Sequence, residues 1–380
     1  QPVADDCNDW VVLNACQDGE QTIFNARRMF DTGDTQDWPM TDINKAVRVI
    51  CAYGTSDTFS YHGSTGRQST QIDFFDSLIT PSNAIQALVD DTTVTTHEML
   101  NNNYPVPDQK TDYYDLCMNV NSSGMVTSGD GHIFAVEHVL DDGSSEYTVH
   151  HFVVYGYRCE DCNCAQEQFY AWVPGLDVVV FPDEAGVRIG AGGYQSIMMN
   201  THFDNPAFTS GATDNSGVRF YYSTTSFRTY DIGVLNVGDP NVVLTNELVG
   251  DGYSQYEFEC PESCFSHDAL GNAMTDNLTV FDVTHHMHGN GYTMQTRLYD
   301  GSASEPYKNI TTQYYDFEYQ DFVRMAPFEM IPASRIAVDC IFNTENDPDA
   351  VFGLGSENEM CMTFVLYYPA VENTYRYCGY

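Results

Sequence analysis

The sequence is very poor in lysine, with only Lys45, Lys110 and Lys308 among 380 residues. Lysine and arginine together number 15 against 54 aspartates and glutamates, which gives a formal net charge of −39. A surface this acidic repels polyanions. We therefore expect no nucleic-acid partner and no attachment to anionic lipid.

Long apolar runs are also missing. No stretch of 18 apolar residues occurs, so we expect no segment that spans a membrane. A signal peptide is not recognisable either, and the chain begins at Gln1. This start is typical of a secreted product whose leader has been removed.

Twelve cysteines are spread from Cys7 to Cys378 without paired Cys-x-x-Cys knuckles. The group formed by Cys159, Cys162 and Cys164 is compatible with a zinc site or with disulfides. Sequons for N-glycosylation begin at Asn121, Asn277 and Asn309. Because glycosylation and disulfides belong to the same oxidising compartment, we predict disulfides and an extracellular protein with N-glycans.

Sustained helical periodicity is absent apart from a short candidate helix at 77–88. Instead, short runs rich in Val, Ile, Phe, Tyr and Thr alternate with Gly, Asp, Asn and Pro. This pattern predicts an all-β, disulfide-rich protein of two tandem antiparallel β-sandwich domains, jelly-roll-like in type. Predicted strands include 132–140, 147–157, 168–173, 195–203, 218–222, 256–259, 294–299 and 360–368. We expect an irregular, disulfide-pinned lead-in at 1–40, a first domain at 41–214 and a second at 215–380, with the boundary at the polar stretch after Asn205-Pro206.

Histidine carries the clearest chemical signal, above all at the end of a strand-like run, 279–291. Alternation along a strand places His286 and His288 on one face. Phe281, Val283 and Met287 are expected on the opposite face, and His285 also points away from the pair. Two neutral imidazoles two residues apart can bind one metal ion together.

Three further histidines are weaker signals when each is taken alone. His150 and His151 are adjacent, so on a regular strand they face opposite ways, and both reach one metal only through a local distortion or different ring nitrogens. His202 is compatible with a hydrogen-bonded core residue, and Met360, before Cys361, with ordinary packing.

Taken together, ordered motifs match a known family. They are HHFVVYGYRC at 150–159, AWVPG at 171–175, FPDEAGVRIG at 181–190, THFDNP at 201–206, SGVRFYY at 216–222, HMHGNG at 286–291, CIFNT at 340–344 and EMCMTFVLYYP at 359–369. Between residues 100 and 370 the chain resembles the copper type II, ascorbate-dependent monooxygenases, and its C-terminal motif leans toward the dopamine β-hydroxylase branch.

The resemblance implies two copper ions per chain, one in each domain, across a solvent-filled cleft. It also implies ascorbate as reductant, dioxygen as co-substrate and hydroxylation of a small-molecule C–H bond. The implied ligands of an electron-transfer copper are His150, His151 and His202. Those of an oxygen-activating copper, which are also the catalytic residues, are His286, His288 and Met360. The soft thioether of a methionine favours Cu(I).

Other family features are kept or lost. A family disulfide is implied between Cys340 and Cys361, and further bridges for Cys260, Cys264 and Cys378; the pairing of Cys7, Cys16 and Cys51 stays open. Phe152 stands where the family usually has Met. The peptide-amidating members hold the peptide carboxylate with Arg, Asn and Tyr, but Thr284, Met362 and Phe364 stand here, which disfavours a peptide substrate.

Two other functions fit the same residues. One is a non-catalytic extracellular coat or filament subunit that forms homo-oligomers or polymers on this fold. The other is a secreted copper-binding protein. Retention of Met360 argues against both, since neither needs a site suited to Cu(I).

Overall fold

Residues 9–18, 21–34, 37, 40, 47–52, 67–72, 81–141, 149–172, 178–205, 208–239, 248–266, 272–312, 315, 317, 326–353, 358–371 and 377–379 are described by a computed structural model of the chain. Within them, 25 strands account for nearly all regular structure. The all-β prediction and the tandem sandwiches are thus confirmed.

The N-terminal part contains two small hairpins and one helix. Strands β1 (Val11–Asp18) and β2 (Gln21–Arg27) pair antiparallel, as do β3 (Val47–Ala52) and β4 (Arg67–Ile72). An irregular lead-in was predicted for 1–40, and the β1–β2 hairpin corrects that prediction. The Asp18-Gly19 pair between two runs of strand-forming residues was the available signal. Helix α1 (Pro81–Asp90) overlaps the predicted helix and begins at a proline, whose φ suits a first helical turn.

The first sandwich is built from twelve strands. They are β5 (Thr95–Leu100), β6 (Tyr104–Pro105), β7 (Thr111–Asn119), β8 (Asp130–Val139), β9 (Val149–Tyr157), β10 (Gln166–Trp172), β11 (Val179–Val180), β12 (Ala185–Gly190), β13 (Ser196–Asp204), β14 (Thr213–Asp214), β15 (Gly217–Ser223) and β16 (Tyr230–Asp231). One sheet has the order β10-β9-β13-β7. The other runs β16-β12-β8-β15-β5, with β11 beside β8, and β6 pairs with β14.

The core of the first sandwich lies between these sheets. Phe152 and Phe203 from the four-stranded sheet meet Ile133 and Phe220 from the larger one, and all four are fully buried. Strand β15 pairs with β5 and β8 and therefore belongs to this sandwich. The predicted boundary after residue 214 is accordingly too early. The polar stretch that prompted it connects two strands of one sandwich, and the chain passes to the second sandwich between β16 and β17.

The second sandwich follows at once. Its strands are β17 (Gly233–Gly238), β18 (Tyr253–Cys260), β19 (Leu278–His286), β20 (Gly291–Asp300), β21 (Lys308–Thr312), β22 (Phe328–Met330), β23 (Ser334–Asn343), β24 (Met362–Tyr368) and β25 (Tyr377–Cys378), with a 3₁₀ turn at Glu262–Phe265. The sheet orders are β22-β19-β24-β17-β25 and β18-β23-β20-β21. Val280, Met294, Val338 and Phe342 are fully buried between them.

Aromatic side chains join the two sandwiches. Phe281 meets Phe181 edge-on with ring centroids 6.4 Å apart, and Tyr368 stacks on Tyr230 at 5.6 Å. Phe281 was predicted to share a face with Val283. That prediction is wrong, because a register shift between β19 and β24 at Val280/Asp282 changes the alternation. Phe281 consequently packs against the first core, whereas Val283 lies in the second.

Four disulfides occur among the described residues: Cys117–Cys162, Cys159–Cys164, Cys260–Cys378 and Cys340–Cys361. The prediction of disulfides over zinc for the 159–164 group is confirmed, as is the bridge beside Met360. Cys264 was also expected to form a bridge, but Cys378, whose Sγ lies 3.1 Å from Cys264 Sγ, is bonded to Cys260 instead. Cys7 and the side chains of Cys16 and Cys51 lie outside the described part of the chain.

Each of the eight strands singled out from the sequence overlaps an observed strand. No helix in the described ranges is long and apolar enough to cross a bilayer.

Candidate metal centres

The first cluster of histidines is formed by two neighbouring strands of one sheet. His202 on β13 lies opposite His151 on β9, and the next pair is Phe203 with Val149. His150 is therefore the extra residue of a β-bulge. A bulge lets two consecutive side chains approach the same side of a sheet. This is the local distortion that two adjacent histidine ligands require.

The ring nitrogens of this cluster converge. His150 Nδ1 lies 3.1 Å from His151 Nδ1, and His202 Nδ1 lies 3.3 Å from the same atom. One ligand atom from each of the three rings lies within 4.8 Å of the others. A neutral imidazole nitrogen has one lone pair, so His151 Nδ1 is poorly suited to accept from both neighbours. A metal cation between the rings could instead accept one lone pair from each of the three imidazoles.

Burial keeps two of these imidazoles, those of His151 and His202, neutral. It lowers the pKa of His202 to about 3, with His150 acting in the same direction. Burial, together with the other histidines, holds the pKa of His151 well below its usual value. Neutral imidazole is the form that binds metal. His202 Nε2 is also buried and has no hydrogen-bond partner within the described residues.

The second cluster lies at the end of strand β19. His286 is the last strand residue and His288 follows just after it, with ring centroids 5.0 Å apart. Met360 lies two residues before β24, the strand that pairs with β19. The prediction that the strand begins at residue 360 is therefore two residues early. Both histidines and the methionine line the same cavity.

Residues just before Met360 hold His288 in place. His288 Nδ1 lies 2.9 Å from the carbonyl oxygen of Asn358, so an N–H there donates to it and leaves Nε2 available to a metal. Glu359 is fully buried, and its carboxylate accepts from His288 N at 3.0 Å and Asn290 N at 2.6 Å. Burial raises the pKa of Glu359 to about 7, while these backbone donors act in the opposite direction. Glu359 thus fixes the His288 turn against the segment that carries Met360.

The second cluster and one histidine of the first border a cavity of about 230 Å³. His151 and Asn200 from the first sandwich line it together with His286, His288 and Met360 from the second. The resemblance implies a solvent-filled cleft between the two sets; in the structure this cavity is lined by one member of the first set, His151, and by all three members of the second.

Phe317 connects the two clusters directly. Its ring lies 5.0 Å from that of His150 and 5.4 Å from that of His288. Tyr113 stacks on His202 at 4.5 Å. Sequence reasoning identified neither aromatic residue, nor Glu359. A buried acid beside a candidate ligand was a usable signal for Glu359; the position of Phe317 has no local signature.

The other histidines that the structure describes lie elsewhere. His285 was predicted to face the core and does so: its two ring nitrogens lie 2.8 Å from Thr312 Oγ1 and 3.0 Å from Thr296 Oγ1. Desolvation lowers its pKa to about 3. His132 pairs with Asp231 at 3.0 Å, and His138 stacks on Trp172.

Comparison with known proteins agrees with this architecture. The family model for the N-terminal domain of the copper type II ascorbate-dependent monooxygenases matches residues 97–210, and that for the C-terminal domain matches residues 233–379. The chain belongs to this family.

Individual relatives are distant. The chain is 28% identical over 393 residues to DBH-like monooxygenase protein 1 of Gallus gallus and 26% identical over 393 residues to the protein of that name in Homo sapiens. Each alignment covers 96% of this chain and 61% of the relative. The chain is also 28% identical over 265 residues to tyramine beta-hydroxylase of Caenorhabditis briggsae, and this alignment covers 63% of the chain and 43% of that protein. The chain thus spans less than two thirds of the length of these relatives.

The donor sets fit the metal that the family name specifies. Imidazole binds copper in both common oxidation states, and a thioether favours Cu(I). The other group of potential ligands found in the described residues, Cys260, Cys264 and Cys378, includes a disulfide and is no comparable site.

Proposed function

We propose that the protein is a secreted, copper-dependent monooxygenase that hydroxylates a C–H bond of a small molecule with dioxygen and ascorbate. The observation that carries the proposal is one cavity lined by His151 of the first candidate ligand set and by His286, His288 and Met360 of the second. His150, His151 and His202 would hold one copper ion, and His286, His288 and Met360 a second. Copper bound there would supply the transfer of electrons from ascorbate to dioxygen.

The remaining chemistry belongs to the chain itself. Burial keeps the imidazoles of His151 and His202 neutral, which is the form that binds metal. The Asn358 carbonyl and the Glu359 carboxylate orient His288. Phe317, Phe364 and neighbouring aromatic walls limit water in the cavity where the substrate would lie beside Met360.

The test is metal content in matched variants. We expect two copper equivalents per chain in the parent protein and one in His286→Ala or in His202→Ala. His97→Ala is the control, because His97 on β5 lies outside the cavity lining. Two full equivalents in His286→Ala would overturn the ligand assignment.

Oxygen uptake separates an enzyme from the two alternatives. A monooxygenase consumes dioxygen when ascorbate and a substrate are both present. Two bound coppers with no uptake over a broad substrate panel would instead support the copper-binding protein. Regular polymers in electron micrographs of an inactive protein would support the filament subunit.

Secretion and glycosylation belong to the same proposal. The asparagines of the three sequons, Asn121, Asn277 and Asn309, are all exposed. Glycans at these positions would clash with nothing in the cores. Enzymatic deglycosylation of the natural protein is expected to lower its mass, and an unchanged mass would contradict glycosylation.

A further inference from the structure

The walls of the shared cavity carry no charge among the residues that the structure describes. Nineteen described residues line it, and none is Asp, Glu, Lys or Arg. Aromatic rings dominate, including Phe169, Tyr170, Phe317 and Phe364. For a chain with 54 acidic residues, an uncharged cavity is a marked local exception.

Thr284 lies in this wall next to the second candidate metal centre. It precedes His286 by two residues on β19, so both side chains lie on one face of the strand, and both line the cavity. Thr284 Oγ1 has no hydrogen-bond partner within the described ranges. The position nearest the second centre on this strand therefore presents a neutral polar group.

One charged group beside the wall, Asp115, is already engaged. Asp115 accepts a hydrogen bond of 2.6 Å from the amide of Asn200, its partner on the neighbouring strand. Asn200 lines the cavity, but Asp115 is exposed to solvent and does not. Burial also raises the pKa of Tyr155, another wall residue, to about 12, which keeps its phenol neutral.

Charge sets the kind of molecule that this cavity admits. An ammonium or carboxylate group that leaves water needs a counter-charge or several hydrogen bonds in its new surroundings. The described side chains of the wall offer no counter-charge in the metal-free protein. A hydroxyl, ether or carbonyl group requires only one hydrogen bond, which Thr284, Gln168 or Asn200 can provide.

The volume of the cavity limits the size of the molecule that can bind there. A dry, apolar cavity of roughly 150 Å³ is sufficient for benzene. The cavity here measures about 230 Å³. It therefore accommodates one aromatic ring with a short side chain.

We propose that the substrate is an uncharged, mainly apolar molecule about the size of one aromatic ring with a short side chain. This inference rests on the proposed monooxygenase function. The balanced reaction joins R–H, dioxygen, two electrons and two protons to give R–OH and water. One C–H and the O–O bond break, and two ascorbate molecules each supply one electron.

The experiment compares three compounds with the same ring and similar length: 2-phenylethanol, 2-phenylethylamine and 3-phenylpropionate. Affinity is measured by calorimetry on metal-free protein, and product formation on copper-loaded protein with ascorbate. We expect the alcohol to bind at least about 30-fold more tightly than either ion, and to be the best substrate of the three. An amine or carboxylate that binds as well as the alcohol would overturn the proposal.

Two variants at one position sharpen the test. Thr284→Asp places a carboxylate in the wall and is expected to raise amine affinity at least about tenfold, whereas the neutral control Thr284→Asn leaves it unchanged. If Thr284→Asp and Thr284→Asn bind the amine equally well, the result would contradict an uncharged cavity in the parent protein. If the parent binds the amine tightly and Asp115→Asn abolishes that binding, then Asp115 is an amine anchor and the proposal is wrong.

Failure of the proposed function would look different. The metal-free binding order reports the charge preference even if no turnover occurs. Copper content and ascorbate-driven oxygen uptake report the monooxygenase separately. Selective binding of the alcohol without turnover would therefore overturn only the enzyme, and turnover of the amine alone would overturn only the substrate class.

Discussion

The two histidine clusters are built in different ways. The first lies within a sheet, where the pairing of β9 with β13 and one bulge bring His150, His151 and His202 together. The second lies at the end of a strand, where hydrogen bonds from His288 to the Asn358 carbonyl and the Glu359 carboxylate fix the turn. Sheet register positions the first set, and a few specific polar contacts position the second. We therefore expect the second centre to be the more sensitive to single substitutions outside its ligands.

The largest effect is expected when the disulfide Cys340–Cys361 is removed. This disulfide joins β23 to the segment beside Met360. Replacing both cysteines with Ala is expected to lower the free energy of unfolding by about 3 kcal/mol, because the unfolded chain loses its cross-link. Urea unfolding measures this loss, and copper titration should show weaker binding at the second centre only.

The matched control is the double Ala variant of Cys117 and Cys162, a disulfide of the first sandwich. It should also lower stability but leave the second centre intact. Equal weakening of copper binding at the second centre in both double variants would contradict the separation of the two centres.

A smaller effect is expected from Glu359→Ala. The substitution leaves the N–H groups of His288 and Asn290 buried without their acceptor, which costs about 2 kcal/mol. Loss of copper from the second centre, with the first centre retained, is the expected result in metal analysis and unfolding experiments. Glu359→Gln, which keeps one carbonyl acceptor, should recover part of both properties, and the exposed Glu305→Ala serves as a neutral control. Unchanged copper binding in Glu359→Ala would show that the turn does not depend on the carboxylate.

The smallest effect concerns the residue that touches both centres. Phe317→Leu removes the ring contacts with His150 and His288, and such contacts contribute about 1 kcal/mol. Paramagnetic resonance of the copper-loaded protein is expected to show altered signals from both centres. Tyr113→Leu, which removes a ring stacked on His202, should alter the first centre alone. A change confined to one centre in Phe317→Leu would mean that this ring does not connect the two.

Much of the candidate site could be predicted from local patterns. Two-residue alternation identified the strands, and the spacing of His286 and His288 predicted a metal-binding pair, which the structure brings to one end of β19. His285 was correctly assigned to the core by the same alternation. These features depend on neighbours along the chain, which is why the sequence determines them by itself.

Tertiary structure decided the rest. The bulge at His150 and the register shift before Asp282 depend on pairing with strands far away in sequence, so local alternation predicts neither. Local alternation also does not predict the partners of β15. This strand follows a polar stretch that was interpreted as a domain boundary, yet it pairs with β8 of the first sandwich. Phe317 reaches both centres only because the two sandwiches pack together, and the cavity beside it exists for the same reason. The order of residues along the chain determines residue types and their spacing. A site shared by two domains depends on contacts between residues that are far apart in sequence.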